Sequence, residues 1–144
     1  NISINKCMKF EIKDCSEEQL EIIKKHISQF ELDDRSLHHS QFLVASQNHI
    51  IIGFGRIREH NSCSELCSLG VIEPERNKGI GLALTKALAR KAKKTVYLVC
   101  IIPEFFKKLG FRLCDTYPEE LLNKLHYCTQ ELIVPETYVV MKKG

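Results

Sequence analysis

Apolar positions along the chain fall into two rhythms, one of period two and one of period 3.6, and their alternation sets out a sequence of strands and helices. Met8 to Ile12 alternates enough for a first strand. Ser16 with Gln19 three residues on forms a capping box, and Leu20, Ile23, Ile27 and Phe30 then fall on one face of a helix. Residues 31 to 41 are polar with little periodicity, which predicts a loop or a short second helix. Phe42 to Ser46 and Ile50 to Arg58 are β-branched, apolar runs around Gln47-Asn48-His49, the pattern of a hairpin. Ser64 to Val71 is a further strand, in which strict alternation puts Glu65, Cys67, Leu69 and Val71 on one face and makes Glu65 the lone acid there.

A helix follows from Gly79, with Ile80, Leu84, Leu88 and Ala92 at four-residue intervals and Lys86, Arg90, Lys93 and Lys94 outward. Val96 to Ile102 reads as a buried strand, and Pro103 opens a short helix carrying Phe105 and Phe106. Phe111 starts another strand, Pro118 precedes a helix through Leu121, Leu122 and Leu125, and Tyr138 to Met141 closes the sheet. The order gives an α+β fold in a single domain of residues 1 to 144, a mixed and mostly antiparallel central sheet flanked by helices.

The stretch from Val71 to Gly81 changes the picture from architecture to chemistry. An apolar strand ends there in a basic, glycine-spaced turn that opens a helix. Gly79 and Gly81 allow close backbone approach to an anion, the first helical N–H groups point at it, and Arg76 and Lys78 add full charges. A Walker loop needs Lys and Ser or Thr after its second glycine, where Leu82 and Ala83 stand, and a dinucleotide fingerprint needs a third glycine, where Leu84 stands. The form that fits is Arg-x-x-Gly-x-Gly, Arg76 to Gly81.

That form resembles the pyrophosphate loop of the GNAT acyltransferase superfamily. Phe105-Phe106-Lys107-Lys108-Leu109-Gly110-Phe111 is similar to the same family's second signature, an aromatic pair closing on Gly-Phe. The resemblance covers residues 50 to 112 well, and a looser one links the chain to the acetyltransferase domain of N-acetylglutamate synthases. It implies acetyl-CoA as acyl donor, held by Leu69, Val71, Arg76, Asn77, Lys78, Gly79, Ile80, Gly81 and Phe106, with direct transfer to a primary amine. It also implies Glu65 as general base, a role that suits a carboxylate whose pKa is raised by a largely apolar strand face; the alternative is a rim glutamate paired with Arg56 or Arg58 on the neighbouring strand. Backbone N–H groups near Leu69 and Val71 would then meet the thioester carbonyl. The chain departs from the family where a tyrosine usually protonates the departing thiolate, since Phe106 occupies that position, and Tyr97, Tyr117, Tyr127 and Tyr138 stand as unranked replacements.

The substrate expectation is a small free amine such as an amino acid, its carboxylate met by Arg56 and Arg58. Two other readings stay open: a noncatalytic acyl-CoA-binding or regulatory module, and acetylation of protein amino termini or RNA-borne amines. His38 and His39 read as surface residues rather than bases.

The chain's 144 residues, 44% of them hydrophobic, suffice for one core. A net charge of +3 gives no strong argument for nucleic acid. Seven cysteines without a Cys-x-x-Cys pair predict no metal and no disulfide framework, but small apolar residues of a reducing compartment, so a cytoplasmic location is expected. No apolar run approaches a membrane span, so no membrane partner is expected, while a homodimer stays open.

Overall fold

The computed structural model describes residues 10–132 and 134–144. The predicted first strand from Met8 lies partly outside the described residues; what is described is β1, Glu11–Asp14. The capping box forms as the sequence predicts. Ser16 Oγ accepts from Gln19 N–H at 3.1 Å, Gln19 Oε1 accepts from Ser16 N–H at 3.0 Å, and α1 runs Glu17–Gln29 with Leu20, Ile23 and Ile27 buried. Residues 31 to 41 take the loop option, ending in a single 3-10 turn at His39–Gln41.

Strands β2 (Phe42–Gln47) and β3 (Ile50–Glu59) form the predicted hairpin, with Asn48 and His49 both left-handed in a two-residue turn. Next come β4 (Ser64–Val71), α2 (Ile80–Lys91), β5 (Val96–Cys100), α3 (Pro103–Lys107), β6 (Phe111–Leu113), α4 (Glu119–Glu131) and β7 (Val139–Lys143). They build one seven-stranded sheet in the order β1-β2-β3-β4-β5-β7-β6. Every neighbouring pair is antiparallel except β4 and β5.

Helices α2 and α3 cover one face, where Ile80, Leu84, Leu88 and Phe106 pack with Leu43, Leu66, Leu98 and Met141. Helix α1 packs Ile23 and Ile27 on Phe42, Val44 and Phe54 of the other face, and α4 lays Leu121 on Tyr97 and Val140. Helix α4 forms where the sequence predicts it, directly after Pro118. Its buried positions are Leu121, Lys124 and Cys128, while Leu122 is exposed, so a lysine occupies an inward turn of that helix. Among the described residues, no helix is long and apolar enough to cross a membrane.

Candidate active site

Parallel pairing of β4 with β5 stops after two registered pairs, Ser64 with Val96 and Glu65 with Tyr97. Beyond that point Leu66 to Val71 and Leu98 to Ile102 line opposite walls of a cleft of about 470 Å3. Peptide groups of β4 that point away from β3 past Glu65 therefore have no strand partner and face this opening. The two sheet faces meet in it. Phe106 contributes from the α3 side; Phe30, Glu31, Leu32, Asp33, Lys124, Cys128 and Tyr138 contribute from the α1 and α4 side.

At the donor end, Gly79 caps α2 with φ +86°, a left-handed conformation that favours glycine, and has no side chain with which to cap the helix. Ala83 N–H makes the first bond to Gly79 carbonyl, so the N–H groups of Ile80, Gly81 and Leu82 stay available to an anion. A Cβ on Gly81 would touch Phe105 Cζ at 3.4 Å and Val71 Cγ2 at 3.8 Å, leaving room for little more than a methyl. Asn77 is also left-handed, φ +67°. Arg76 folds back, its Nε donating to Val71 carbonyl at 2.8 Å and its guanidinium 5.1 Å from the Phe30 ring centre, and it lines the cleft. Lys78 is an exposed cation paired with Glu75 at 3.2 Å. Arg76 to Gly81 thus sit together at the start of α2; of the six only Arg76 lines the cleft, and Ile80 gives its side chain to the core.

In the middle of β4 the geometry departs from strict alternation. Phe54 pairs with Gly70 and Arg56 with Cys67, so Ser68 and Leu69 together oppose Gly55, and Ser68 is left-handed at φ +53°. This bulge turns the strand over. Leu69 and Val71 point toward α2, whereas Glu65 and Cys67 share the face of Arg56 and Arg58, their register partners. The expectation of one common face for Glu65, Cys67, Leu69 and Val71 is corrected accordingly, because an extra residue reverses a period of two.

Glu65 is 1% exposed and is not among the cleft-lining residues. His60 Nε2 lies 2.8 Å from its Oε1, and Lys124 Nζ lies 2.8 Å from its Oε2. The same ammonium also donates to Asp33 Oδ2 at 2.7 Å, so it stands between the two carboxylates. Burial by itself would raise the Glu65 pKa, but the His60 hydrogen bond, Lys124 and Arg58 outweigh it and hold the carboxyl down to about 2. The raised pKa expected for this residue is therefore corrected: the strand face is ionic, not apolar. Lys124, 4% exposed, does line the cleft; burial disfavours its charge, yet Glu65 and Asp33 keep it protonated well above the usual lysine range.

Asp33 completes the network. Its carboxylate accepts from Arg35 Nε at 3.0 Å and Nη2 at 2.8 Å as well as from Lys124, and these contacts overcome burial to hold it well below the usual carboxylate range. Asp33, Glu65 and Cys67 bring their ligand atoms within 4.8 Å of one another. A cation already stands among them, because the Lys124 ammonium and the Arg35 guanidinium take the carboxylate lone pairs a metal would need. Burial pushes the Cys67 thiol up.

Arg56 also differs from its expected role. It is 0% exposed, with Nε on Ser68 Oγ at 3.0 Å, Nη1 on Gln41 Oε1 at 3.0 Å and Nη2 on Asp33 carbonyl at 3.2 Å. Those donors are taken, so a bidentate grip on a substrate carboxylate does not fit, and Arg58, partly exposed and 4.0 Å from Asp33 Oδ2, does not line the cleft. Phe106 is buried edge-on between Phe105 and Phe111 on the cleft wall. Of the four tyrosines, only Tyr138 lines the cleft, its phenol pushed upward by burial. Tyr97 and Tyr117 line a separate outer hollow, and Tyr127 donates to Asp34 beneath Arg35. His38 and His39 stack on each other away from the cleft.

Asp33 and Lys124 were not singled out from the sequence, whereas Tyr138 was one of the four tyrosines left unranked. The signal that could have found Lys124 is its place between Leu121 and Cys128 on the inward stripe of a helix, where an unpaired lysine is not tolerated. Asp33 carries no such signal, lying in an aperiodic loop.

A splayed β4–β5 junction, a bulged β4 and a glycine-opened helix at the cleft mouth define an acyltransferase fold. The Acetyltransferase (GNAT) family profile matches residues 7–111, and the chain belongs to that family. Among solved structures, N-acetylglutamate synthase from Neisseria gonorrhoeae with coenzyme A and L-arginine is 18% identical, with a TM-score of 0.73 over 94% of this chain and 33% of that one. Rv2747 from Mycobacterium tuberculosis, in complex with CoA and NLQ, is 16% identical with a TM-score of 0.75, covering 92% of this chain and 98% of that one. Arabidopsis thaliana Naa50 with the bisubstrate analogue CoA-Ac-MVNAL is 19% identical with a TM-score of 0.66, covering 94% and 99%. At these identities the likeness shows the fold, and this chain spans about a third of the length of the gonococcal synthase.

Proposed function

We propose that the chain transfers an acetyl group to the primary amine of a small acceptor by direct attack within the β4–β5 cleft. The observation that carries this reading is the cleft itself, lined by Phe30, Val71 and Arg76 ahead of the uncapped start of α2 and elsewhere by Leu32, Lys124 and Tyr138. The residues fit the donor: free N–H groups of Ile80, Gly81 and Leu82, with Arg76, Asn77 and Lys78 beside them, suit a pyrophosphate. Acetyl-CoA supplies an activated acyl carbon and a thiolate leaving group. Leu69 and Val71 lie beyond the last β4–β5 pair, so N–H groups there have no partner on β5 and can polarise a carbonyl.

Glu65 enters this reading as the counterion that fixes Lys124, since Lys124 stands between it and the cleft and its carboxyl is poorly basic. The acceptor then reacts as free amine, and the rate follows the acceptor's own deprotonation up to its pKa. One observation favours the second reading, Glu65 as base: the carboxylate is ionised throughout the neutral range. Glu65→Gln separates them. A base contributes on the order of 10² to 10⁴ in kcat/KM, partly recovered at high pH, whereas a counterion shows its loss mainly in stability.

A screen of acetyl-CoA consumption against amino acids, polyamines, aminoglycosides and short peptides tests the substrate class. Turnover of a small amine supports the proposal. Acetylation of peptides alone would replace the small acceptor by an amino terminus, and binding of acetyl-CoA without any turnover would make the chain a noncatalytic acyl-CoA module, a reading that the hydroxyl-less Phe106 favours.

A further inference from the structure

We propose that Arg56 is a positioning residue that sets the β4 bulge, and with it the peptide groups that polarise the thioester carbonyl; this rests on the acetyl-transfer reading above. The bulge is a costly local conformation, since Ser68 has φ +53° without being glycine. Something must hold it. Ser68 Oγ donates to Asp33 carbonyl at 2.7 Å and accepts from Arg56 Nε at 3.0 Å, while Arg56 Nη2 donates to the same carbonyl at 3.2 Å. These three groups close a ring of hydrogen bonds, and all three residues are buried. Arg56 Nη1 extends the ring to Gln41 at the end of the same loop.

The ring joins two parts of the cleft that share no local sequence. Loop 31–41 carries Glu31, Leu32 and Asp33 on the acceptor wall, and the bulge carries Ser68, Leu69 and Gly70 on the opposite wall. Arg56 bonds to both, so its guanidinium fixes the distance between the acceptor wall and the polarising backbone. Arginine suits this because its planar fork meets three separated acceptors from three different nitrogens, whereas a lysine would have to gather them around one ammonium. Losing the fork lets Ser68 relax toward ordinary strand geometry and rotates the following peptide groups away from the cleft. A misplacement on the order of 1 Å in such a site costs about 10²-fold in rate.

The test is the carbonyl stretch of acetyl-CoA labelled with 13C at the acetyl carbon, read by difference infrared spectroscopy on wild type, Arg56→Met, Arg56→Lys and Ser68→Ala without acceptor, beside acetyl-CoA affinity and steady-state kinetics. Wild type should lower the stretch on binding. Arg56→Met and Ser68→Ala should abolish most of that lowering and cut kcat on the order of 10- to 100-fold, with donor affinity within about threefold, and Arg56→Lys should restore part of both. Ser68→Ala removes one hydroxyl and keeps the test available if Arg56→Met does not fold. If wild type fails to bind acetyl-CoA, the acetyl-transfer reading falls first. If wild type binds and lowers the stretch while folded variants do so equally and keep kcat, Arg56 is only a structural strut and the inference is overturned.

Discussion

The two ends of the cleft are built by different means. At the proposed donor end, six consecutive residues from Arg76 to Gly81 open a helix, and nearly all the donors they would offer an anion are backbone groups. At the acceptor end, Asp33, Arg56, Glu65 and Lys124 come from a loop, two strands and a late helix, with 91 residues separating the partners Asp33 and Lys124. The donor end is assembled by local conformation and the acceptor end by compensation of buried charge. The first should therefore fail in binding with the fold intact, and the second should fail in folding.

Asp33→Asn gives the largest expected effect. It leaves Lys124 and Arg35 facing a neutral amide in a buried site, and breaking a buried ion pair costs about 3–5 kcal/mol. Denaturant unfolding should show a large drop in midpoint; an unchanged midpoint would mean that the network is not what closes the acceptor end.

Gly81→Val should act on the opposite side of the comparison. A β-branched side chain there meets Phe105 and Val71 and disturbs the N–H groups at the start of α2, so acetyl-CoA affinity by calorimetry should fall at least about tenfold, roughly 1.4 kcal/mol, while the unfolding midpoint moves little. Equal affinity would remove the donor assignment from this loop.

The pH dependence sharpens the contrast. Asp33 and Glu65 both have folded pKa values below their ordinary ones, so each contributes stability that is fully present above about pH 4.5. As pH falls toward 2 the unfolded chain binds protons that the folded acceptor network resists, and stability should decline through that window. Lys124→Met should flatten the decline, because the carboxylates lose the cation that depresses them, and acid titration of unfolding in both forms reads it.

The smallest effect belongs to Lys107→Ala. Its ammonium pairs with Glu104 at 2.8 Å on the exposed side of α3, and such surface pairs contribute about 0–1 kcal/mol. A loss above that in unfolding experiments would show that α3, which carries Phe106, is held to the cleft by more than its aromatic packing.

By itself, the sequence determined what depends on neighbours along the chain. The capping box of α1, the two-residue turn between β2 and β3, the glycine-opened helix after β4 and the paired phenylalanines of α3 are all set by short-range sterics and hydrogen bonding, and each is legible in a window of a few residues. Alternation along β4 was legible only as far as Cys67, since a bulge inserted at Ser68 obeys no period. Tertiary structure alone decided the charges. Glu65 reads as the lone acid of an apolar strand, and Arg56 as a free cation, until a loop residue and a helix lysine from far along the chain are brought against them. Whether a carboxylate is basic or an arginine is available depends on the dielectric and the counterions around it. Folding assembles those surroundings from segments that have no neighbour relation in the sequence.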